Sequence, residues 1–202
     1  MNDIGPMTVV SLLLVAMAGR AVWRLATHRA TTQKAAVVAL VLWVVLGVPA
    51  VVTEVRHQQT QAAATSAVRL VTGDSKTRAV CERWSASLVN TRVAVGGWVW
   101  WGSDVAWLSH STCAELGAWL RSDRQHPTTG QVFAVHVVTH EAVHITGVTS
   151  EATTECIAME WDSRVAQHLG ASPQVAEQMA TTYRAELYPH IRAEYRGRCS
   201  EE

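Results

Sequence analysis

Two long stretches without charge stand near the start of the chain. Residues 6–19 carry no charged side chain, and residues 35–52 form a second uncharged run of eighteen residues. A helix needs about 20 apolar residues to cross the hydrocarbon core of a membrane, and somewhat fewer when its flanking side chains snorkel. The pattern therefore predicts two transmembrane helices, which together form a membrane anchor over residues 1–56.

The charges beside these stretches predict their orientation. The connection between them is basic and holds no acid: Arg20, Arg24, Arg29 and Lys34. The positive-inside rule places that connection in the cytoplasm and both termini outside. A cleaved signal peptide is the competing interpretation, but its positive charges would precede the apolar run, whereas here they follow it. We therefore expect a two-span protein of the cell membrane with an extracytoplasmic domain.

Beyond the anchor, the pattern is that of a mainly helical domain with a small β-hairpin. Residues 57–78 are polar and weakly patterned, which is typical of a stalk, and residues 79–202 are predicted to form the domain. Apolar side chains four residues apart predict a helix over 77–91. Valines and tryptophans on both sides of a Gly-Ser-Asp turn predict strands near 93–101 and 105–109.

Three longer helices are predicted to follow, over 131–145, 150–170 and 173–187. Gly147 is placed to end the first of them in a left-handed cap, and a Ser-Pro pair is placed to begin the last. A glycine cap lets the chain turn back, so the second of these helices can lie against the first. We expect the domain to be compact and similar to a zincin in its helices.

The composition excludes several classes of protein. Lysine and arginine number 17, equal to the 17 aspartates and glutamates, so no excess of charge favours nucleic acid as a partner. A hydrophobic content of 49% excludes a disordered chain. All four cysteines follow the second apolar stretch: Cys81, Cys113, Cys156 and Cys199. An even number in the predicted outer part indicates two disulfides in an oxidising compartment, with the pairing open.

The candidate chemistry lies in the segment His-Glu-Ala-Val-His at residues 140–144. On a helix, His140 and His144 stand one turn apart on one face, so one nitrogen of each can bind the same Zn²⁺ ion. Glu141 projects beside that ion, where a carboxylate can take a proton from an activated water and give it to a leaving amine. This HExxH pattern on a predicted helix indicates a zinc peptidase.

The third zinc ligand separates two classes of zinc peptidase. Ser150 stands where a metzincin needs His or Asp, and a serine hydroxyl is a poor zinc ligand. The other solution is a glutamate from the next helix, where Glu151 and Glu155 are four residues apart and share a face. Either glutamate can be the ligand on this reasoning.

The run Glu-Ala-Thr-Thr-Glu-Cys-Ile-Ala at 151–158 resembles the ExxxDxxA run of gluzincin metallopeptidases, especially the membrane-bound ones. The resemblance implies that Glu151 is the third ligand and that Glu155 orients His140. This chain has Glu155 where the family has Asp, which keeps Glu155 as the alternative ligand. The layout of Cys, Trp, HExxH and Glu-Cys over 81–199 is also similar to that of uncharacterised actinobacterial extracytoplasmic proteins.

Several further residues are candidates for supporting this site. For the disulfides we favour Cys113–Cys156 and Cys81–Cys199. His136 shares a face with His140 and is expected to be a surface group or a support for the ligands rather than a metal ligand. Four tryptophans fall in the hairpin, either packing the sheet or touching the membrane interface, or else lining a substrate strand: Trp98, Trp100, Trp101 and Trp107. Four downstream side chains can stabilise an oxyanion, with Tyr183 and His190 preferred: Tyr183, Tyr188, His190 and Tyr195.

The sequence therefore predicts zinc-dependent hydrolysis of peptide bonds at the outer face of a membrane, with a peptide or protein as the substrate. One alternative is a zinc-stabilised binding domain, or a pseudo-enzyme without catalysis. A second alternative is a structural membrane protein in which the HExxH motif is coincidental and no metal binds.

Overall fold

The computed structural model describes residues 6–27, 33–83, 96–197 and 199. The chain divides into two compact units, Met1–Gln58 and Gln59–Glu202. Each unit is described below by itself.

The first unit consists of helix α1 (Pro6–Ala26) and the first part of helix α2 (Gln33–Thr72). The Thr8 hydroxyl donates to a carboxylate oxygen of Glu54 at 2.6 Å. Many of its apolar side chains point outward, among them Leu12, Leu13, Met17, Val45 and Leu46. Among the described residues, one helix is long and apolar enough to cross a membrane, Thr8–Ala26, and a signal sequence would pass the same test. The second predicted span therefore stays a prediction.

The second unit begins inside α2, where the sequence predicts a stalk over 57–78. Ala64, Ala67 and Val68 are fully buried in the core of this unit. The Gln61 side-chain oxygen accepts the backbone N–H of Cys81 at 3.1 Å. Alanine lets a helix approach its neighbours closely, but it adds little to a pattern of apolar residues. The buried face of this helix therefore could not be recognised from the sequence. Most of the predicted stalk is thus part of the domain.

A small sheet follows, made of β1 (Arg78–Cys81), β2 (Gly97–Val99) and β3 (Val105–Leu108) in the order β1-β3-β2. The β2–β3 pair is antiparallel, which confirms the hairpin, and β1 runs parallel to β3. The helix predicted over 77–91 is wrong at β1, because those residues pair with β3 instead of one another. The rest of that prediction, from residue 84, lies outside the described residues.

In the described residues that follow the sheet lie four α-helices: α3 (His110–Leu120), α4 (Thr129–Ile145), α5 (Glu151–His168) and α6 (Pro173–Thr182). Short turns at Tyr183–Leu187, Tyr188–His190 and Ala193–Tyr195 lead towards the C-terminus. The three long helices predicted after residue 130 are confirmed, and so is the mainly helical fold with a small sheet.

Two disulfides are present, Cys81–Cys113 and Cys156–Cys199, so the predicted pairing is wrong. The parallel register of β1 and β3 explains the first, because it sets Cys81 opposite Leu108, just before the helix that carries Cys113. The second closes the C-terminal segment onto α5. The pairing depends on contacts distant in the sequence, which spacing alone does not reveal.

Candidate metal centre

Helix α4 carries both histidines of the motif and begins with a well-defined cap. The Thr128 side chain accepts from the backbone of Gln131, whose own side chain accepts from the backbone of Thr128. The helix ends at Ile145, and Gly147 follows at a φ of +97°, a left-handed conformation that favours glycine. The predicted glycine stop is confirmed, and it brings the next helix back alongside α4.

Helix α5 carries the two candidate glutamates. Its first residue is Glu151, and the Ser150 side chain caps the helix by accepting the backbone N–H of Thr153. Glu155 lies one turn further on, with its side chain almost completely buried. Both glutamates face α4, as their spacing predicts.

Three atoms from these two helices converge at nearly equal distances. The Nε2 atom of His140 lies 3.1 Å from Nε2 of His144 and 3.1 Å from Oε2 of Glu151. The third side, from His144 Nε2 to Glu151 Oε2, is 3.2 Å. Ligand atoms about 2.0–2.1 Å from a tetrahedral ion lie roughly 3.3 Å from one another, so the spacing fits one metal ion. We call His140, His144 and Glu151 the open triad.

The opposite ring nitrogens decide which atoms of the open triad carry lone pairs. His140 Nδ1 lies 3.0 Å from Oε2 of Glu155, and His144 Nδ1 lies 2.8 Å from the carbonyl oxygen of Val148. Because both partners are acceptors, each Nδ1 carries the proton and donates it. Each neutral ring then turns a bare Nε2 towards the other and towards Glu151. Three acceptors face one another, which is the arrangement that a cation stabilises.

The electrostatics of the open triad favour a positive charge between its three atoms. Burial works to lower the pKa of His140, but its hydrogen bonds to Glu151 and Glu155 outweigh this and raise it. When Nε2 of His140 is protonated as well, its hydrogen bond to Glu151 lowers the pKa of that carboxyl group. A proton on His140 can therefore stand in for a metal ion. A metal would have to displace that proton, which is the usual coupling between metal binding and pH.

A second group that could hold a metal ion lies behind His140 and consists of His136, His140 and Glu155. Glu155 Oε2 lies 3.1 Å from His136 Nε2 and 3.0 Å from His140 Nδ1, and its other oxygen accepts from the Tyr183 hydroxyl at 2.6 Å. His136 Nδ1 in turn lies 2.8 Å from Asp162. Every one of these contacts can pair a donor with an acceptor, in contrast to the open triad.

Glu141 is buried beside the open triad. Within the described part of the chain, its Oε2 atom is buried and lacks a hydrogen bond. Burial raises its pKa to about 7. A carboxyl group with a pKa near neutrality can both take and give a proton in one reaction cycle, as a general base and acid must.

Strand β2 runs against Glu141. A Cβ atom on Gly97 would lie 2.7 Å from Cγ and 2.9 Å from Oε1 of Glu141. Only glycine leaves room for this carboxylate, so the edge of the sheet and the motif are fitted to each other. The sequence gives no sign of this contact beyond the presence of two adjacent glycines.

A cavity of about 240 Å³ opens beside His140 and Glu141, and His136, Glu155 and Tyr183 also line it. Its walls combine His140 and Glu141 with the apolar side chains of Phe133 and Val137. Tyr195 also lines it, with its ring centroid 5.5 Å from that of His140. Burial raises the pKa of Tyr195 to about 12, which keeps its hydroxyl protonated and able to donate.

The C-terminal segment holds Tyr195 in this position. Cys199 is tied to Cys156 on α5, directly after Glu155. The Tyr188 hydroxyl accepts the backbone N–H of Gly197 at 3.1 Å and donates to its carbonyl oxygen at 2.9 Å. The disulfide therefore fixes the segment that forms one wall of the cavity.

The hairpin tryptophans divide into two pairs. Trp98 and Trp107 stack in parallel, with centroids 6.1 Å apart, and belong to paired positions of β2 and β3. Trp100 and Trp101 are exposed at the turn, where the ring of Trp101 meets His144 edge-on at 6.2 Å. Trp98 and Trp107 therefore pack across the sheet, which is one of the roles predicted for the hairpin tryptophans. Trp101 borders the open triad.

The structure thus brings together all five residues predicted for the site: His140, Glu141, His144, Glu151 and Glu155. Tyr183 was one of two preferred oxyanion donors, but its hydroxyl is engaged by Glu155, while His190 lines the cavity. Sequence reasoning missed Asp162, although it lies seven residues after Glu155 and so shares its helical face. Tyr195, one of the four downstream candidates but not a preferred one, also lines the cavity.

Comparison with models of protein families, with curated proteins and with solved structures finds no match for this chain.

Proposed function

We propose that the chain is a zinc-dependent metallopeptidase of the gluzincin type. The observation that carries the proposal is the open triad, in which three acceptor atoms face one another at 3.1–3.2 Å. The Glu141 carboxyl group lies beside them, and among the described residues its Oε2 atom has no hydrogen-bond partner. Two imidazole nitrogens and one carboxylate oxygen form a donor set that zinc prefers in catalytic sites, where a fourth position stays open.

Glu151 is the third ligand in this proposal and Glu155 supports His140. Glu155 Oε2 already receives two N–H groups, whereas Glu151 Oε2 faces the two bare Nε2 atoms. The carboxylate that lacks donors of its own is the one that gains most from a cation. This assignment agrees with the one that the resemblance to gluzincins implies.

The chain's own residues perform the proton transfers. Bound zinc would supply a Lewis acid that acidifies a water molecule and polarises a carbonyl group. Glu141 takes the proton of the attacking water at its free oxygen and delivers it to the amine that leaves. The Tyr195 hydroxyl, which lines the same cavity, donates to the oxygen on which negative charge develops.

The substrate is a peptide segment in extended conformation. In the described part of the sheet, β2 pairs with β3 alone and so presents a second backbone edge. Glu141 lies against the face of this strand at Gly97, so a peptide along the free edge of β2 would pass close to it. A peptide added to such an edge would gain main-chain hydrogen bonds and bring its carbonyl groups to the site.

We further propose that the enzyme works at the outer face of a membrane. The helix Thr8–Ala26 is apolar and long enough to cross one, and the apolar side chains of the first unit point outward. The two disulfides of the second unit suit an oxidising compartment outside the cytoplasm. Substrates at or near the membrane surface follow from this location.

The test compares the full-length wild-type protein, purified in detergent, with Glu141→Gln and His144→Ala. We expect about one zinc per wild-type chain by mass spectrometry and cleavage of members of a mixed peptide pool. Glu141→Gln should keep its zinc and lose roughly 10²–10⁴ in rate, because it removes the general base but no ligand. His144→Ala should lose both zinc and cleavage.

Each outcome separates the alternatives. Zinc bound by the wild type without cleavage of any peptide would favour a zinc-stabilised binding domain. A protein purified without transition metal, and unable to take up added zinc, would make the motif coincidental. Full activity in Glu141→Gln would remove Glu141 from the chemistry while leaving the metal site intact.

A further inference from the structure

Behind the open triad, four side chains form a hydrogen-bond network that ends on Nδ1 of His140. We call Asp162, His136, Glu155 and Tyr183 the buried network. All four are almost completely buried, with exposed fractions between 2% and 4%. Asp162 lies furthest from the open triad and Glu155 nearest to it.

His136 stands between two carboxylates. Its Nδ1 atom lies 2.8 Å from Oδ2 of Asp162, and its Nε2 atom lies 3.1 Å from Oε2 of Glu155. Because a carboxylate accepts, both nitrogens carry protons and donate, so the ring is an imidazolium. Burial works to lower the pKa of His136, but Asp162 and Glu155 outweigh this and raise it to about 9.

The ring of His136 cannot turn out of this position. It stacks on the ring of Tyr183 with centroids 3.6 Å apart and an angle of 14° between planes. The Tyr183 hydroxyl meanwhile donates to the remaining oxygen of Glu155 at 2.6 Å. Both oxygens of Glu155 are thereby occupied, and its carboxylate plane is fixed on both sides.

We propose that His136 is a positioning residue for the metal ligand His140 and acts through Glu155, with Asp162 fixing His136. This inference rests on the proposed metal site. With Glu155 held from behind, its Oε2 atom keeps the Nδ1 proton of His140 in place, and the lone pair of Nε2 stays aimed at the ion. Freed from His136, Glu155 can rotate and the ring of His140 loses its fixed direction.

Two substitutions at one position separate this role from simple packing. The side-chain amide of His136→Gln reaches roughly to the place of Nε2 and still donates to Glu155. That of His136→Asn reaches roughly to the place of Nδ1 and serves Asp162 alone. Both remove the aromatic ring that stacks on Tyr183, and they differ in volume by one methylene group. The unfolding free energies of the two variants show what that methylene contributes to packing, so a difference in zinc affinity larger than this contribution reports the hydrogen bond to Glu155.

The measurement is the zinc affinity of the full chain, obtained by competition with a fluorescent chelator. We expect His136→Asn to weaken zinc binding by about tenfold or more, and His136→Gln by about threefold or less, as for partners that orient metal ligands. The Co²⁺-loaded variants should keep the absorption spectrum of the wild type, since no ligand is changed. Equal zinc affinities of the Asn and Gln variants would overturn the proposal.

Asp162→Asn is a second test in case the His136 variants do not fold, because it keeps the size of the side chain. It should weaken zinc binding less than His136→Asn but measurably, whereas an unchanged affinity would remove Asp162 from the network's role. His168→Gln, at an exposed histidine of α5, is the matched control and should leave zinc affinity unchanged. A changed Co²⁺ spectrum in His136→Gln would make His136 a ligand and also overturn the proposal.

Failure of this inference and failure of the proposed function give different results. If the inference fails, wild type and all His136 variants bind zinc equally while peptide cleavage is untouched. If the proposed catalysis fails, no peptide is cleaved, yet the ranking of the zinc affinities of the Gln and Asn variants still holds.

Discussion

The open triad and the buried network meet at His140, yet they differ in where their protons lie. In the buried network, N–H and O–H groups alternate with carboxylate oxygens, so every short contact is a hydrogen bond. In the open triad, two bare nitrogens and a carboxylate oxygen face one another at 3.1–3.2 Å. Each short contact of the first arrangement pairs a donor with an acceptor without an ion, although Oδ1 of Asp162 is buried and lacks a hydrogen bond among the described residues, whereas the contacts of the second do not.

Two buried glutamates show the same difference. Burial works to raise the pKa of Glu155, but the hydrogen bonds from His136 and His140 outweigh it, and the pKa lies well below its ordinary value. Glu141 has no such donors, so burial raises its pKa to about 7. Partners, not burial alone, decide whether a buried carboxyl group is a fixed anion or a group that exchanges its proton.

The largest expected effect distinguishes the two acids around His140. Glu151→Gln should weaken zinc binding by roughly a hundredfold to a thousandfold, because one of a few ligands contributing to about 10–16 kcal/mol is replaced by a weaker donor. Glu155→Gln should weaken it by about 10–100-fold, as for a residue that orients a ligand. Both affinities are measured by chelator competition on folded protein.

The exposed Glu160 of the same helix offers a matched control, and Glu160→Gln should bind zinc as the wild type does. A larger loss in Glu155→Gln than in Glu151→Gln would reverse the assignment. The metal would then belong to the group His136, His140 and Glu155, and the contrast between the two regions would be mistaken.

The sequence was most informative where one helix or one turn decides the geometry. The spacing of His140, His144, Glu151 and Glu155 predicted which side chains would meet, because helical periodicity and the Gly147 stop determine it locally. The disulfide pairing and the strand at Arg78–Cys81 depend on a parallel β1–β3 contact between segments distant in the chain. No local pattern encodes that contact, and the i, i+4 spacing of apolar residues favoured a helix instead.

The stability of the metal-free protein should report the proton on Glu141. Its pKa is about 7 in the folded state against an ordinary 4.5, so the folded state binds the proton more tightly. The resulting stability is fully present below pH 4.5 and is lost as the pH rises to about 7. Glu141→Gln lacks this loss, so its unfolding free energy relative to wild type should increase by up to about 3 kcal/mol over that range.

Urea unfolding in the presence of a chelator at pH 4.5 and pH 8 measures this difference. Glu155→Gln should show little change relative to wild type over this range, since a lowered pKa contributes stability that is present above pH 4.5 and is lost only on acidification below it. If Glu141→Gln tracked the wild type at both pH values, Glu141 would be ionised in the folded state and would need a donor beyond those described.

The smallest effect concerns the fit between β2 and the motif. Gly97→Ala would place a methyl group 2.7 Å from Cγ of Glu141 and 2.9 Å from the carbonyl oxygen of Trp107, so something must shift. We expect the unfolding free energy to fall by about 1–3 kcal/mol, as for other overpacked sites. Zinc affinity should stay near that of the wild type, because no atom of the open triad is within this contact, whereas peptide cleavage should fall as Glu141 is displaced.

A double-mutant cycle identifies the contact responsible. In a Glu141→Ala background the methyl group of Gly97→Ala no longer meets the carboxylate side chain, so its cost should shrink to what the carbonyl of Trp107 imposes. Gly130→Ala, in the first turn of α4, is the matched control: its methyl group would lie 3.1 Å from the carboxyl carbon of Glu115, an exposed side chain that can move, so stability should stay unchanged or rise by up to about 1 kcal/mol. If the cost of Gly97→Ala is the same without the Glu141 side chain, glycine is required at this position by the contact with β3 and not by Glu141. The cavity beside Glu141 is then not shaped by this glycine.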